Sequence, residues 1–440
     1  MKKKVPVVTV AAPEEAAQLA GLPLEAVVAL GDVGAAVKEG LLGFCADVGL
    51  VVMGQMMAAE LTARIGPKHA KIPGRSANWH GTTTGSVVLG SRTVQVERPR
   101  ARSTEGEEVE LASWAVFSSR DLLTQLVCER MLAGVATRRH GDVSEPLSSK
   151  IEEKAKATGR SAVSRRFVQA TEQAMAELMG RDLSSLDVAV LMVDGVEVAR
   201  QCLVCALVVT TDGRKVPVGL WLGDTENKTV VTNLLADLVA RGLSAPDGLL
   251  VVLDGAKALG AGVRKVFGDQ AVVQRCTLHK RRNVKDHLPK ELGETVDRRL
   301  AVIFAQPDAA KGLNAARRLA TELEAEHPDA AGSLREGLED MFTVRRLGVT
   351  GTLARTLTST NCIESMISVA QTTIGRVKRW KDGSMKKRWV AAGMLEAERS
   401  FRRVKGCTQM PVLVDAVRRE VAKRTADETV TPPSYAPEAA

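Results

Sequence analysis

Three carboxylates in this chain could carry metal-dependent chemistry: Asp194, Asp254 and Glu364. Asp194 ends an apolar run at 188–193, Asp254 ends a second at 249–253, and glycine follows each acid. A short apolar run that ends at a turn signal predicts a buried strand, so pairing of the two strands would bring the acids together. Clustered carboxylates repel one another when ionised, and a divalent cation such as Mg²⁺ removes that repulsion. A pair of such ions can run phosphoryl transfer, which is the chemistry that these acids predict.

Each acid also has a structural interpretation. Asn361 and Glu364 fit a helix capping box, which is the favoured reading of Glu364 taken alone. Asp194 and Asp254, each followed by glycine, are also typical of turns. A turn has no need of two Asp-Gly steps at the ends of two nearly continuous apolar strands, so the combination favours a site.

The cysteine pairs do not indicate a metal centre. Cys276-x-x-His279 supplies two ligands, whereas a structural zinc site needs four. Cys202 and Cys205 lie in a predicted strand, where residues three apart point to opposite faces, so we interpret all three cysteines as core residues. Seven scattered cysteines without a secretory signal predict reduced thiols in the cytoplasm.

Other catalytic classes are disfavoured by what the sequence lacks. The only tyrosine is Tyr435, in a tail beyond Thr425 that is predicted to be disordered, so a tyrosine nucleophile for DNA cleavage is not expected. The sequence contains neither the phosphate-binding loop G-x-x-x-x-G-K-[ST] nor the zinc protease motif H-E-x-x-H.

Length and charge limit the possible partners. A chain of 440 residues predicts two or three structural units, and its apolar stretches look too short or interrupted to span a membrane. The net charge is +9, and the segment from Arg376 to Lys405 contains eleven Lys or Arg residues and three Asp or Glu residues. Such a stripe suits a polyanion such as DNA, although a solvated helix face has the same composition.

The first part of the chain is predicted to be mainly helical. Residues 1–66 favour helix, and 85–97 favour two short strands around a Gly-Ser turn. Ser148–Lys156 and 159–168 have the length and punctuation of a helix-turn-helix. A helix with a charged outer face explains this segment equally well. The basic residues that it would offer to a DNA groove are Arg160, Arg165 and Arg166.

The later part predicts a mixed α/β layer fold. Three strands in succession are expected at 186–198, 202–211 and 215–222, followed by alternating helix and strand up to Arg275. Charged amphipathic helices are expected at 286–347, before the helix that bears Glu364.

Four motifs in this order resemble bacterial transposases of the IS256 group, relatives of the eukaryotic Mutator elements. They are Asp194-Gly195, Asp254-Gly255-Ala256-Lys257, Gln274-Arg275-Cys276-x-x-His279-Lys280-x-x-Asn283 and Ser359-Thr360-Asn361-x-x-Glu364-Ser365. The likeness extends to the basic segment at 375–383 and covers about 40–405. One departure is Gln371, where many relatives carry Arg or Lys; Arg376 or Lys378 is then the alternative source of that contact.

The resemblance implies an α/β fold with an RNase H-like catalytic core, an all-helical insertion and a mostly helical N-terminal DNA-binding region. It implies a DDE triad of Asp194, Asp254 and Glu364 that binds two Mg²⁺ ions, with Mn²⁺ as a substitute, and it makes Cys276 and His279 a family motif near the active site. The expected divisions are 1–118, 119–183, 184–285 (first core part), 286–347 (insertion), 348–405 (second core part) and 406–440 (C-terminal helix and tail).

The implied function is that of a DNA transposase. It would bind the terminal inverted repeats of its insertion sequence and cleave and transfer strands to target DNA, as a homodimer or larger homo-oligomer on the nucleoid in the bacterial cytoplasm, without a membrane partner. The alternatives are an inactive, domesticated DNA-binding regulator and another RNase H-like nuclease. The expected phosphate contacts, besides those named on 159–168, are Lys280, Arg281, Arg282, Arg376, Lys378, Arg379, Lys386, Lys387 and Arg388.

Overall fold

The computed structural model of the chain describes residues 41–430, apart from 145, 146, 148 and 224–226. The predictions for the first 40 residues and for the last ten concern positions outside this described part. The chain forms two compact units, one up to Ala170 and the other from Thr171. The domain boundary predicted between residues 183 and 184 lies after this division.

The first unit contains a three-stranded antiparallel sheet. β1 (Ala77–Leu89) and β2 (Arg92–Ser103) form a hairpin around Gly90-Ser91, as predicted, but both strands are longer than expected. β3 (Ala155–Ala157) pairs with β2. The helices that begin in this unit are α1 (Leu41–Ile65), α2 (Ala112–Ser118), α3 (Asp121–Leu132), α4 (Ser149–Glu152) and α5 (Arg160–Gly180).

α1 corrects the expectation that every apolar stretch is too short to span a membrane. By length and composition alone its segment Gly43–Ile65 could do so, with a mean hydropathy of 1.4. Met57, Leu61 and Ile65 are buried with Leu111 in a core of the first unit. One helix of this kind is weak evidence for a membrane span. These three residues pack in the core, although only 11% of the apolar segment is buried.

The predicted helix-turn-helix is wrong. Its first helix, expected over Ser148–Lys156, is reduced to the single turn of α4, because the chain then pairs with β2 as β3. Gln95 N donates to Lys154 O at 3.2 Å, which extends that pairing. The basic residues of the second predicted helix are kept, since α5 begins at Arg160.

The second unit is built on a five-stranded mixed sheet with the order β6-β5-β4-β7-β8. The first three strands form an antiparallel meander, and β7 and β8 run parallel to β4. Helices α6 and α7 follow β6 and β7, which confirms the predicted mixed α/β arrangement. The bounds are β4 (Val188–Val198), β5 (Gln201–Thr210), β6 (Lys215–Gly223), α6 (Lys228–Ala240), β7 (Leu249–Leu253), α7 (Lys257–Phe267) and β8 (Ala271–Arg275).

These strands lie at the centre of the unit because they consist largely of apolar residues. Every residue of β7 is buried, and so are nine of the ten residues of β5. α6 buries Leu234 and Leu238 against the sheet. Gly262 on α7 allows the two helices to approach closely, because a Cβ there would lie 2.6 Å from a methyl carbon of Val231.

Helices follow β8, as predicted for 286–347. Leu300, Leu319, Leu334 and Phe342 belong to a core of their own. A 3₁₀ turn at Glu339–Phe342 then leads back toward the sheet. The helices are α8 (Thr277–Asp286), α9 (Lys290–Ala305), α10 (Ala309–Glu324), α11 (Pro328–Arg335) and α12 (Thr343–Arg346).

The described part of the chain ends with four helices of the second unit. Gly393 lies against Ala370, since a Cβ at Gly393 would be 2.7 Å from the Ala370 Cα. The last helix continues to Val430, so the predicted tail beyond Thr425 begins too early. The bounds are α13 (Gly351–Leu357), α14 (Asn361–Ile374), α15 (Gly383–Arg399) and α16 (Met410–Val430).

Candidate active site

Asp194 and Asp254 lie side by side where the parallel pairing of β4 with β7 ends. The last paired residues are Val193 and Leu253, and the two acids come next on their strands. Neighbouring strands lie about 4.8 Å apart. β4 continues past Asp194 in its hairpin with β5, so this Asp-Gly step is strand and not a turn. The two strands pair as expected, and this pairing brings the acids together.

Backbone N–H groups hold both aspartates. Asp194 Oδ1 accepts a hydrogen bond from Gly195 N at 2.9 Å, and Asp254 Oδ1 accepts one from Ala256 N at 2.7 Å. Gly255 has φ +107°, a conformation that favours glycine, and its carbonyl accepts from the Arg275 guanidinium. Asp254-Gly255 is therefore a turn, as the structural interpretation proposed, and it also carries a site acid.

Glu364 approaches from α14. Thr360, not Asn361, occupies the N-cap position of this helix, and its side chain makes no capping hydrogen bond, so the predicted capping box is wrong. The Thr360 hydroxyl donates to Glu364 Oε1 within the first turn. Glu364 is partly exposed, and its carboxylate lies 3.8 Å from His279 Nδ1.

The C-x-x-H pair lies beside this glutamate. Cys276 directly follows β8 and is fully buried, as predicted, and its N–H donates to Leu253 O at 2.7 Å. His279 lies in the first turn of α8. Ligand atoms of Cys276, His279 and Glu364 all lie within 4.8 Å of one another. The structure thus brings the pair to the third acid, which the spacing of the pair alone does not predict.

The acids and the histidine influence one another electrostatically. Burial raises the pKa of Asp194 to about 6, and the like charge of Asp254 adds to this effect. The Gly195 N–H and His279 lower that pKa, whereas Glu364 raises it. All three carboxylates therefore belong to one charged cluster.

His279 supplies positive charge to the cluster. Its hydrogen bond with Cys276 raises the pKa of His279 to about 9, and the charges of Glu364 and Asp254 contribute, against the effect of burial. Burial raises the pKa of the Cys276 thiol, but hydrogen bonds from His279 and Thr360 outweigh this effect, so the pKa is lowered overall. The raised pKa favours the imidazolium form of His279.

The basic residues that were predicted to contact phosphate differ in solvent exposure. Lys280, Lys386 and Arg388 are buried and donate hydrogen bonds within the chain, to Ser333 O, to Ala199 O and to Thr171 Oγ1. These three side chains are poor candidates for contacts with phosphate. Arg166, Arg281 and Lys387 are partly exposed, and the exposed ones are Arg160, Arg165, Arg282, Arg376, Lys378 and Arg379. Gln371 is exposed as well.

Two supporting residues received no role from the sequence. Thr360 is fully buried and contacts Glu364, Cys276 and His279. The Gln274 side chain donates to Met341 O and accepts from Val344 N, both at 2.9 Å, so it joins β8 to the chain returning from the helical insertion. Both lie inside motifs that resemble a known family, which was the only signal available.

The chain is similar to known transposases. The family described as "Transposase, Mutator family" matches residues 30–391. The transposase of IS256 in transposon Tn4001 from Staphylococcus aureus is 26% identical over 72% of this chain and 80% of its own length. The IS905 transposase of Lactococcus lactis is 24% identical over 71% of this chain and 78% of its own length.

A third relative gives a shorter match. The IS6120 transposase of Mycolicibacterium smegmatis is 32% identical over 36% of this chain, and the match spans half of that relative's length. The resemblance to the IS256 group is confirmed by these matches. Because the family match covers most of the sequence, the chain belongs to the Mutator family of transposases.

Proposed function

We propose that this protein is a DNA transposase that binds the terminal inverted repeats of its insertion sequence and catalyses metal-dependent strand cleavage and strand transfer. Family membership supports the transposase assignment. The observation that carries the chemistry is the strand register, because Val193 opposite Leu253 places Asp194 beside Asp254.

The core of the second unit is then RNase H-like. Support comes from its strand order, in which an antiparallel meander is extended by two parallel strands on the other side of β4. The helical insertion between Asp254 and Glu364 agrees with the expectation from the IS256 group. Both acids nevertheless belong to the same compact unit.

Asp194, Asp254 and Glu364 would hold two Mg²⁺ ions, or Mn²⁺ in their place. Carboxylate oxygens are the ligands that these cations prefer. The raised pKa of Asp194 supports this fit, because it reflects burial and repulsion from Asp254 that a cation would relieve. When bound, the ions supply activation of the attacking oxygen and stabilisation of the leaving 3′-oxygen.

The side chains of the site have separate roles in this proposal. Asp194 lies on the central strand and responds to both other acids, which suits a shared ligand. Hydrolysis of a phosphodiester at the transposon end releases a 3′-hydroxyl, which then attacks a phosphodiester of target DNA and displaces its 3′-oxygen. This route needs no covalent link between protein and DNA.

Double-stranded DNA, as inverted repeat and as target, is the proposed partner. Its phosphates would contact the exposed basic segment between α14 and α15, which follows the helix that bears Glu364, and Arg282 on α8. Arg160 and Arg165 on α5 offer a second basic surface in the first unit. Two transposon ends must be processed together, so we expect a homodimer or larger assembly, acting on the nucleoid.

The test compares wild type, Asp254→Asn and Asp247→Asn on labelled DNA that carries the repeats flanking the gene, with Mg²⁺ or Mn²⁺. Asp247 is a matched control because it lies just before β7, at the other end of the strand, where it pairs with Arg418 at 2.8 Å. We expect nicking at the 3′ end and joined products from wild type and Asp247→Asn only, with equal DNA binding by all three.

The other outcomes would refute the site or favour a different function. Full cleavage by Asp254→Asn would refute the assignment of this acid. Binding without cleavage in either metal would favour the DNA-binding regulator. Cleavage without joined products would favour an RNase H-like nuclease.

A further inference from the structure

The hydroxyl of Thr360 lies at the meeting point of the C-x-x-H motif and the third acid. Thr360 Oγ1 is 3.3 Å from Cys276 Sγ and 3.4 Å from His279 Nδ1, and it is hydrogen-bonded to Glu364 Oε1. The Thr360 N–H also points to Cys276 Sγ, at 3.4 Å. Thr360 is fully buried, so these protein groups, and not water, surround its side chain.

The direction of the hydrogen bonds follows from the groups present. A hydroxyl has one proton, and the Glu364 carboxylate is the stronger and nearer of its acceptors. The Thr360 oxygen then serves as the acceptor for His279 Nδ1, 3.4 Å away, when that nitrogen carries a proton. The hydroxyl therefore links the position of the His279 ring to the orientation of the Glu364 carboxylate.

The same residues connect Glu364 to the strand that carries Asp254. The Cys276 N–H donates to Leu253 O, one residue before Asp254. The N–H and the hydroxyl of Thr277 both donate to Thr358 O at 3.0 Å. The start of α14 is thus tied to the end of β7, although the helical insertion separates them in sequence.

A metal ion held by Cys276, His279 and Glu364 would need the space that this hydroxyl occupies. Zinc binds sulfur at about 2.3 Å and nitrogen at about 2.0 Å, and would have to lie between the same three groups. The Thr360 oxygen already lies there, within hydrogen-bonding distance of all three groups. The cluster is therefore better suited to orient a side chain than to bind its own metal.

We propose that Thr360 is a positioning residue, whose hydroxyl is held by Cys276 and His279 and orients the Glu364 carboxylate toward the two aspartates. This inference rests on the proposed function, in which Glu364 is a metal ligand. It gives the C-x-x-H motif a structural reason: the motif anchors the hydroxyl to the sheet.

The experiment measures Mn²⁺ binding to the full chain by electron paramagnetic resonance, without DNA, for wild type, Thr360→Val and Thr360→Ser. Valine keeps the shape and removes the hydroxyl, whereas serine keeps the hydroxyl. We expect Thr360→Val to weaken Mn²⁺ binding about 10- to 100-fold, as is usual for a residue that orients a metal ligand, and Thr360→Ser to remain close to wild type.

The matched control is Thr373→Val. Thr373 is buried near the other end of α14, and its hydroxyl donates to Ala370 O. Unfolding is followed without metal for every variant, and Thr360→Ala replaces Thr360→Val if the latter does not fold. Cleavage is then assayed over a range of Mn²⁺ concentrations, and we expect high Mn²⁺ to restore Thr360→Val with an unchanged KM for DNA.

Several results would overturn the proposal. Thr360→Val could bind Mn²⁺ as wild type does, Thr360→Ser could be as impaired as Thr360→Val, or Thr373→Val could lose as much affinity. If wild type itself binds no Mn²⁺, the proposed metal site fails and the positioning role fails with it. If wild type binds Mn²⁺ and Asp194→Asn does not, while Thr360→Val is unaffected, only the positioning role is refuted.

Discussion

Asp194 and Asp254 occupy equivalent positions on adjacent parallel strands, each directly after a member of the last residue pair, Val193 and Leu253. Their proximity is a consequence of packing in the core. A slip of one residue in this pairing would turn every side chain of one strand to the other face of the sheet. The buried residues of β4 and β7 oppose such a slip, so the register of the core also sets the register of the acids.

In the metal-free protein, burial of the charged Asp194 carboxylate lowers the free energy of unfolding, and Asp194→Asn should remove this loss of stability. The pKa of Asp194 is raised from 3.8 to about 6, chiefly by burial, so the folded protein binds more protons than the unfolded chain between these values. Stability of wild type therefore falls as pH rises through this window. Asn keeps an acceptor for the Gly195 N–H without the charge.

We expect Asp194→Asn to be more stable than wild type at pH 8 by on the order of 1–3 kcal/mol, and nearly equal to it at pH 4. Urea denaturation in the presence of a chelator measures this difference at each pH. A pH-independent difference would mean that the charge of Asp194 is not the cause.

Divalent cations should offset this loss of stability in wild type. A ligand present at a concentration of 100 times its dissociation constant for the folded state raises the free energy of unfolding by about 2.7 kcal/mol. We expect saturating Mn²⁺ to raise the thermal unfolding midpoint of wild type and of Asp247→Asn, and to have little effect on Asp194→Asn. An equal shift in all three proteins would indicate that Mn²⁺ binds elsewhere.

The sequence predicted the strands of the sheet well, because apolar runs are a local pattern. Near-continuous Val and Leu runs mark β4 and β7, but the sequence left their pairing open, because two further strands and α6 lie between them. That Glu364 joins them was not visible in the spacing. Its approach depends on contacts between Cys276, Thr360 and the end of β7, and no local pattern reports such contacts.

Other predictions failed for the same reason. Ala155–Ala157 has helix-forming neighbours, but pairing with β2 makes it a strand. Lys386 and Arg388 look like surface cations in a basic stripe, yet α15 turns them inward, where backbone and side-chain acceptors receive their hydrogen bonds. Charge alone does not reveal which face of a helix is covered.

Exposed and buried cations of this stripe should therefore behave differently in DNA binding. Lys378 and Arg379 are exposed between α14 and α15. Neutralising a phosphate contact makes the dependence of log affinity on log salt shallower by about 0.9. We expect the double variant Lys378→Gln, Arg379→Gln to bind all DNA sequences more weakly, with a slope reduced by about 2.

Lys386→Met is the control for this measurement. Lys386 donates to Ala199 O at 2.9 Å and to Gln201 Oε1 at 3.0 Å, so its loss should reduce stability and leave the salt slope unchanged. A shallower slope for Lys386→Met, or an unchanged slope for the double variant, would contradict this assignment of the phosphate contacts.

Gln274 should be important for stability, because its amide joins β8 to the chain that returns from the helical insertion. It donates to Met341 O and accepts from Val344 N at 2.9 Å, and it is fully buried. Gln274→Leu would leave these two backbone groups without this partner, and also Arg275 O, to which the same amide donates at 2.7 Å. Each unsatisfied buried group costs about 1–3 kcal/mol. We expect a loss of about 2–4 kcal/mol in urea denaturation. Gln169→Leu makes the same chemical change at an exposed position of α5, and an equal loss there would show that the buried hydrogen bonds are not the cause.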